Sequence, residues 1–345
     1  DGLLEMIGVR CDYNSHTWTV SGITSEAPPS QINQVLDIGY SQALFLEVPP
    51  LSSSDTEPRL YMAIHGYAKE NWPGANLYKS TDGGANYNYV MTSYSKPIFG
   101  QTSGTLGSHS DYTSFDTTNT ITVTLKQGTL TSSTDASVQA GENWCMIGEE
   151  LIGFVNATLT GTNTYQLSRL LRGRQGSEVH MNTHQANELF VMIDENLAAY
   201  TYPKNEIGKT VKFKVVTLGS DISLVNSEDV QPYGLQYRPW KLLTKSAVKQ
   251  GNGDWLISWT ERPKFNPDIR DFSQIPHDFD WGGVGIQILD NTDVTKRSYL
   301  TGDSSFLYTV AMQTTDFGSA QSTLKVTLSQ VSQLVGSGYP VTFTA

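Results

Sequence analysis

The stretch YQLSRLLRGRQGSE, residues 165–178, decides how the middle of this chain folds. Apolar and polar residues alternate in its first half, which is typical of a half-buried β-strand, and two glycines then predict a tight turn. Three arginines, Arg169, Arg172 and Arg174, lie within six positions of an otherwise acidic chain. They are either an anion-binding site or the ion pairs that hold a β-domain together.

The whole chain has the composition of an all-β, multidomain protein. Its 345 residues exceed one ordinary core, charged residues make up only 17%, and short apolar alternations are separated by turn residues. We expect three domains: a β-rich domain over 1–100, a β-domain carrying the arginine motif over 101–235, and a fibronectin-type-III-like β-sandwich over 236–345.

Individual segments support this division. Residues 101–119 are rich in Ser, Thr and Gly and predict a loop or linker. The apolar stretches 143–159 and 164–174 predict a hairpin. In the last domain, alternate residues of 255–259 share one apolar face. Further strands are expected within segments 284–290, 304–312 and 322–332.

The charge, the hydropathy and the cysteines of the chain restrict which environments and binding partners we expect. A net charge of −11 opposes contact with a phosphate backbone, so we expect no direct, sequence-specific nucleic-acid binding. The apolar stretches fall short of the roughly 20 residues that span a bilayer, so we expect a soluble chain. Cys11 and Cys145 lack CxxC spacing and are either two buried thiols or one long-range disulfide.

Residues 79–87, KSTDGGANY, approximate the Asp-box of sialidase propellers. In such a turn Asp82 caps its own backbone, Gly84 belongs to the turn, and Tyr87 anchors the outgoing strand. A propeller needs several copies at regular spacing, whereas one is present here. We therefore interpret Asp82 and Gly84 as structural.

A zinc pattern is incomplete in HMNTHQANE, where His180, His184 and Glu188 have the spacing of ligands on a helix. Met181 stands where the zincin pattern needs Glu, so a turn with polar histidines is the favoured interpretation. The EF-hand, P-loop and Rossmann patterns are absent as well. We expect no metal and no cofactor.

Acidic pairs and a Ser-His-Asp cluster do not predict catalysis. The cluster GSHSD lies in the linker-like segment, and adjacency in sequence is no evidence for a triad. Glu149 and Glu150 are neighbours on a strand and point to opposite faces. Asp278 and Asp280 share a face but lack a candidate partner acid. We expect that the protein is not an enzyme.

Residues 146–178, MIGEELIGFVNATLTGTNTYQLSRLLRGRQGSE, resemble a segment near the C-terminus of the large tail-tip baseplate hub proteins of gene transfer agents and long-tailed bacteriophages. There a Gly-[Asp/Glu]-Glu turn leads to Tyr-x-Leu-x-x-Leu-Leu-Arg-Gly-Arg-x-Gly-[Thr/Ser]-Glu, and every position is filled, from Gly148 to Glu178. Glu261 stands where the family commonly has Arg, and the first 40 or so residues lack a clear match. Further similar segments are 48–55, 72–87, 184–192, 256–264 and 314–338.

The resemblance implies a noncatalytic virion component that forms a homotrimer at the distal end of the tail. It implies contact with a distal tail ring and tail fibres, closure of the tail tube, and attachment to or penetration of the host envelope through a host receptor or glycan. An alternative from another class is a secreted or surface carbohydrate-binding β-sandwich protein that stacks sugars on Trp72, Trp240 and Trp281.

Within that family framework we interpret the arginine motif as structural. Arg172 and Arg174 are expected to form forks to nearby carboxylates, while glycines supply the tight backbone. Anion binding remains the alternative. The residues of this expected motif are Glu149, Glu150, Arg172, Gly173, Arg174, Gly176 and Glu178.

Overall fold

The computed structural model describes residues 39–67, 71–265 and 277–345, which belong to one compact unit. Strands dominate, which confirms the all-β expectation. Those as far as residue 201 are β1 (Ser41–Leu46), β2 (Arg59–Gly66), β3 (Ala75–Ser80), β4 (Asn88–Ser93), β5 (Phe99–Ser103), β6 (Phe115–Asp116), β7 (Ile121–Gln127), β8 (Trp144–Ile147), β9 (Glu150–Gly161), β10 (Thr164–Leu171), β11 (Leu189–Met192) and β12 (Ala198–Thr201).

The second part of the chain continues in the same way. Its strands are β13 (Val211–Thr217), β14 (Glu228–Val230), β15 (Thr244–Lys249), β16 (Trp255–Thr260), β17 (Trp281–Leu289), β18 (Thr295–Thr301), β19 (Ser305–Tyr308), β20 (Lys325–Ser332), β21 (Gly336–Ser337) and β22 (Val341–Thr344). The helical segments are α1 (Asp135–Gln139), α2 (Val310–Phe317) and 3-10 turns at Arg174–His180, Lys204–Glu206, Ile222–Leu224 and Leu235–Tyr237. None of these helices is long and apolar enough to cross a membrane.

The first part of the fold is a sandwich of two sheets, whose strand orders are β1-β2-β12 and β14-β13-β3-β4. Alternate residues of β2 (Leu60, Met62 and Ile64) face Leu77 and Phe213 of the opposite sheet in a shared core. The hairpin β3–β4 turns as the Asp-box pattern predicts, since the carboxylate of Asp82 accepts hydrogen bonds from the side chain of Ser80 and the backbone of Asn86. Gly84 has a left-handed φ of 100°.

The middle of the chain forms a closed barrel in the order β10-β7-β5-β11-β8-β9, and β9 returns to pair with β10. Closure leaves these six strands without a free sheet edge. The predicted hairpin is β9–β10. Cys145 lies in the barrel core as a free thiol whose pKa burial raises. Cys11 lies outside the described residues.

The barrel interrupts the first sandwich, and this corrects the domain boundary expected at residue 100. Strands β12 and β13 follow the barrel but pair with β2 and β3, which precede it. The expectation failed because sequential strands usually pair with each other, whereas here two sheets are completed by strands that return after an insertion. The segment 101–119 is also no simple linker, since it contains the end of β5 and all of β6.

Residues from Thr244 onward form a two-sheet sandwich with strand orders β15-β16-β19 and β18-β17-β20, with β22 beside β20. The expected face of β16, with Trp255, Ile257 and Trp259, lies in its core together with Leu324 and Val326. The expected strand over 304–312 is shorter in the structure: β19 ends at Tyr308. Thr309 then caps α2, because its side chain accepts a hydrogen bond from the N–H of Met312.

Candidate functional site

The arginine motif begins where β10 ends, and it places Arg172 wholly inside the protein. Arg172 has a relative exposure of 0%. The next residue, Gly173, is left-handed at φ 58°, and its N–H donates to Glu150 Oε1 at 2.6 Å. An added Cβ at Gly173 would lie 2.7 Å from the sulfur of Met181. Only glycine therefore suits this turn.

All five N–H donors of Arg172 have acceptors. Nε and Nη2 bind the two oxygens of Glu150, each at 2.9 Å. Nη1 binds Asp116 Oδ2 at 3.2 Å and the carbonyl of Gly107 at 3.1 Å, and Nη2 also binds the carbonyl of Met181 at 3.1 Å. A guanidinium has five such donors, so none is left for an external anion. Arg172 is the fork to a carboxylate that the motif predicted, and its partner is Glu150.

His184 extends this cluster with a second cation. Its Nε2 lies 2.6 Å from Glu150 Oε2, and its Nδ1 lies 2.7 Å from Glu188 Oε2. A neutral imidazole has one N–H, whereas two carboxylate contacts need two, so this geometry calls for the imidazolium. Burial lowers the pKa of His184, but the bonds to Glu150 and Glu188 outweigh it and the pKa is raised.

The three residues of the incomplete zinc pattern are thus divided. His184 and Glu188 join the arginine cluster, whereas His180 lies 3.3 Å from Glu149 and 3.3 Å from the hydroxyl of Tyr339. In the ranges that the structure describes, no group of three or more His, Cys, Asp or Glu side chains is arranged to hold a metal ion. From the GSHSD cluster, His109 lies 3.6 Å from Asp116, beside Arg172.

Arg174 differs from the expectation, because it forms no ion pair with a carboxylate in the described part of the chain. Its Nη1 donates to the carbonyl of Tyr112 at 3.4 Å, and its guanidinium lies 5.9 Å from the centre of the Trp144 ring. Glu149, which was also expected to pair with an arginine of the motif, is largely exposed and lies beside His180. Arg169 forms an exposed pair with Asp135.

The turn after the arginines holds the C-terminal sandwich. Glu178 pairs with Arg262 at 2.7 Å, and the Arg262 guanidinium lies 4.7 Å from the centre of the Trp240 ring. Trp240 lies directly over Gly176, where an added Cβ would be 2.1 Å from the indole. We call Gly176, Glu178, Trp240 and Arg262 the interdomain contact. Sequence reasoning missed it, because nothing local links residues 176–178 to residues 240–262.

The three tryptophans considered for sugar stacking are not presented as exposed platforms. Trp72 is 7% exposed and donates its indole N–H to Ser41 Oγ at 2.8 Å. Trp240 is 9% exposed in the interdomain contact. Trp281 is partly buried and stacks on His277 with ring centres 3.8 Å apart. The prediction was wrong for Trp72 and Trp240, because a turn-like sequence does not reveal which loops tertiary packing covers.

A cavity of about 600 Å³ lies beside the interdomain contact. Its volume suits a small ligand, and its walls are mostly apolar. Its polar groups already contact each other, since His180 lies between Glu149 and Tyr339 and the guanidinium of Arg238 lies 4.2 Å from the Tyr339 ring centre. We assign no ligand to it.

The family model that matches this chain covers the barrel. Residues 98–191 match the family model described as Rcc01698-like, C-terminal, a name associated with gene transfer agents. These bounds coincide with the barrel, which runs from Phe99 to Met192. No curated protein matches the chain.

Among solved structures, the chain is similar to one titled "Crystal structure of chicken CNTN1 FN1-FN3 domains". The identity is 9%, the alignment covers 89% of this chain and 98% of that chain, and the TM-score is 0.23.

Arg172→Ala is expected to lower the free energy of unfolding by roughly 3–5 kcal/mol, because it leaves Glu150 and Asp116 buried without their cation. Urea denaturation followed by tryptophan fluorescence measures this. Arg169→Ala is the matched control, three residues earlier in β10, and its exposed ion pair should matter little. A variant at position 172 that unfolds like the parent would overturn the structural role.

Stability is expected to fall as pH rises through the raised pKa of His184. A histidine whose folded pKa exceeds its unfolded value of about 6.5 stabilises the fold fully below that value and loses this contribution at higher pH. Urea unfolding of the parent and of His184→Gln, measured from about pH 6 to pH 9, should show a steeper decline in the parent. Parallel curves would contradict the imidazolium assignment.

Gly176→Ala is expected to loosen the C-terminal sandwich, because its methyl group displaces Trp240. Gly208→Ala is the matched control: its φ of 75° is also left-handed, but an added Cβ there meets nothing within 4 Å. Limited proteolysis should cleave the Gly176→Ala variant faster between residues 231 and 243. Equal cleavage of both variants would show that backbone strain, and not displacement of Trp240, causes the loosening.

Proposed function

We propose that this protein is a structural component of a bacteriophage or gene-transfer-agent virion, located in the tail-tip baseplate hub at the distal end of the tail. The observation that carries the proposal is the match of residues 98–191 to the Rcc01698-like, C-terminal family, over the barrel that holds the arginine motif. The resemblance of residues 146–178 to tail-tip hub proteins supports the same placement.

The architecture suits a part that bears load. The barrel has no free edge among its six strands, and Arg172 joins its wall at Glu150 to three other segments, which contain Gly107, Asp116 and Met181. The interdomain contact then fixes the sandwich to that wall through an ion pair and a buried indole. These features favour a role in shape and assembly, and we propose no catalysis.

In this role the chain would assemble as a homotrimer, contact a distal tail ring and tail fibres, and contribute to tube closure. It would also take part in attachment to the host envelope or its penetration, with a host receptor or glycan as partner. We do not extend the alternative of a carbohydrate-binding protein, because Trp72 and Trp240 are buried.

Immunogold electron microscopy of particles from the source, with antibody raised against the purified chain, tests the proposal. Gold is expected at the distal tail tip, and pre-immune serum is the control. Light scattering of the purified protein is expected to give the mass of three chains. Particles without label, with the protein found free or on cell surfaces, would overturn the proposal.

A further inference from the structure

A buried lysine and two aspartates lie beside the 3-10 turn Leu235–Tyr237, in the segments that follow β16 and precede β17 of the C-terminal sandwich. Lys264 follows β16 of one sheet and is 4% exposed. Asp280 immediately precedes β17 of the other sheet and is 3% exposed. Asp278 is close by and its side chain is 10% exposed, so one potential cation faces two largely buried acidic groups. This inference does not depend on the proposed function.

The lysine is oriented toward the two acids without bonding to them as an ordinary surface pair does. Its Nζ donates to the carbonyl of Tyr237 at 2.9 Å, and it lies 3.4 Å from Asp278 Oδ2 and 3.7 Å from Asp280 Oδ1. Both acid contacts are longer than the 2.7–2.9 Å or so of a charge-assisted hydrogen bond.

The two aspartates are held differently. Asp278 accepts hydrogen bonds from the backbone N–H groups of Lys264 and Phe265, each at 3.0 Å. Asp280 Oδ2 accepts from the hydroxyl of Ser332 at 2.6 Å. Asp280 Oδ1 is buried and accepts no hydrogen bond from any described residue. A buried acceptor without a donor is costly, so this oxygen calls for an explanation.

Aromatic rings surround the group. The rings of Phe265 and Phe279 are stacked with centres 5.2 Å apart, and the Tyr237 ring meets Phe279 edge-on at 5.7 Å. Lys264 Nζ lies 5.2 Å from the centre of the Phe265 ring. Tyr237 is fully buried, whereas Phe279 is 53% exposed. Apolar rings beside buried groups disfavour separated charges.

We propose that Lys264 and Asp280 form an intramolecular isopeptide bond, with Asp278 as the group that relays the proton. The Lys264 amine, after giving a proton to Asp278, attacks Cγ of Asp280 with its lone pair. The C–N bond forms, and the C–O bond to one Asp280 oxygen breaks. That oxygen leaves as water after it receives protons from the amine and the relay. The product is a neutral amide, and no oxidant, reductant or cofactor is consumed.

The bond would explain the unusual contacts. It removes the lysine charge and the carboxylate together from a buried space, and it takes one Asp280 oxygen out of the protein. It also joins the segment that follows β16 to the residue that precedes β17, so a covalent link connects the strands of the two sheets independently of residues 265–279. Such a closed loop restricts the unfolded chain as a disulfide does.

The mass of the purified, folded chain tests the proposal directly. The intact protein is expected to be lighter than its sequence by one water, and a digest should contain a branched peptide that joins Lys264 to Asp280. An intact mass equal to that of the sequence would overturn the proposal, whatever the behaviour of any variant.

Variants separate this bond from other losses of water, such as succinimide formation at Asp82-Gly83. Lys264→Arg keeps a cation but should restore the full mass, whereas Lys249→Arg, at an exposed lysine on β15, should keep the loss. Asp280→Asn should still form the amide, now with loss of ammonia instead of water. Retention of the water loss in Lys264→Arg would overturn the assignment.

Discussion

The full burial of the Arg172 charge is the constraint on which the middle of this protein depends. A guanidinium with no exposure is tolerated only when its donors are satisfied and its charge is paired. The acceptors come from Gly107, Asp116, Glu150 and Met181, which lie in four separate segments. The same interaction therefore fixes a long loop, an edge strand, the barrel wall and a 3-10 turn relative to one another.

Glu150 shows how such a site balances its charges. Burial raises the pKa of this carboxyl, but the hydrogen bonds from His184 and Arg172 outweigh it and the pKa is lowered. Two cations beside one buried carboxylate would leave an excess of positive charge. Asp116 beside Arg172 and Glu188 beside His184 balance it. The cluster is stable as a network, so removal of one member leaves the others buried and unpaired.

The motif has two sides with separate tasks. Its inner side, Arg172 and Gly173, closes the barrel around Glu150. Its outer side, Gly176 and Glu178, holds the C-terminal sandwich through Trp240 and Arg262. The segment that most resembles tail-tip hub proteins is thus also the junction between the barrel and the sandwich.

The sequence by itself determined the local features: the β character, the hairpin β9–β10, the Asp82 turn and the inward face of β16. These follow from side-chain alternation and turn chemistry, which act over a few residues. Only the tertiary structure decided that the barrel is inserted into a sandwich, that Glu150 is the partner of Arg172, and that Trp72 and Trp240 are buried. Those outcomes depend on contacts between residues far apart in the chain, and no local pattern specifies which distant surfaces meet.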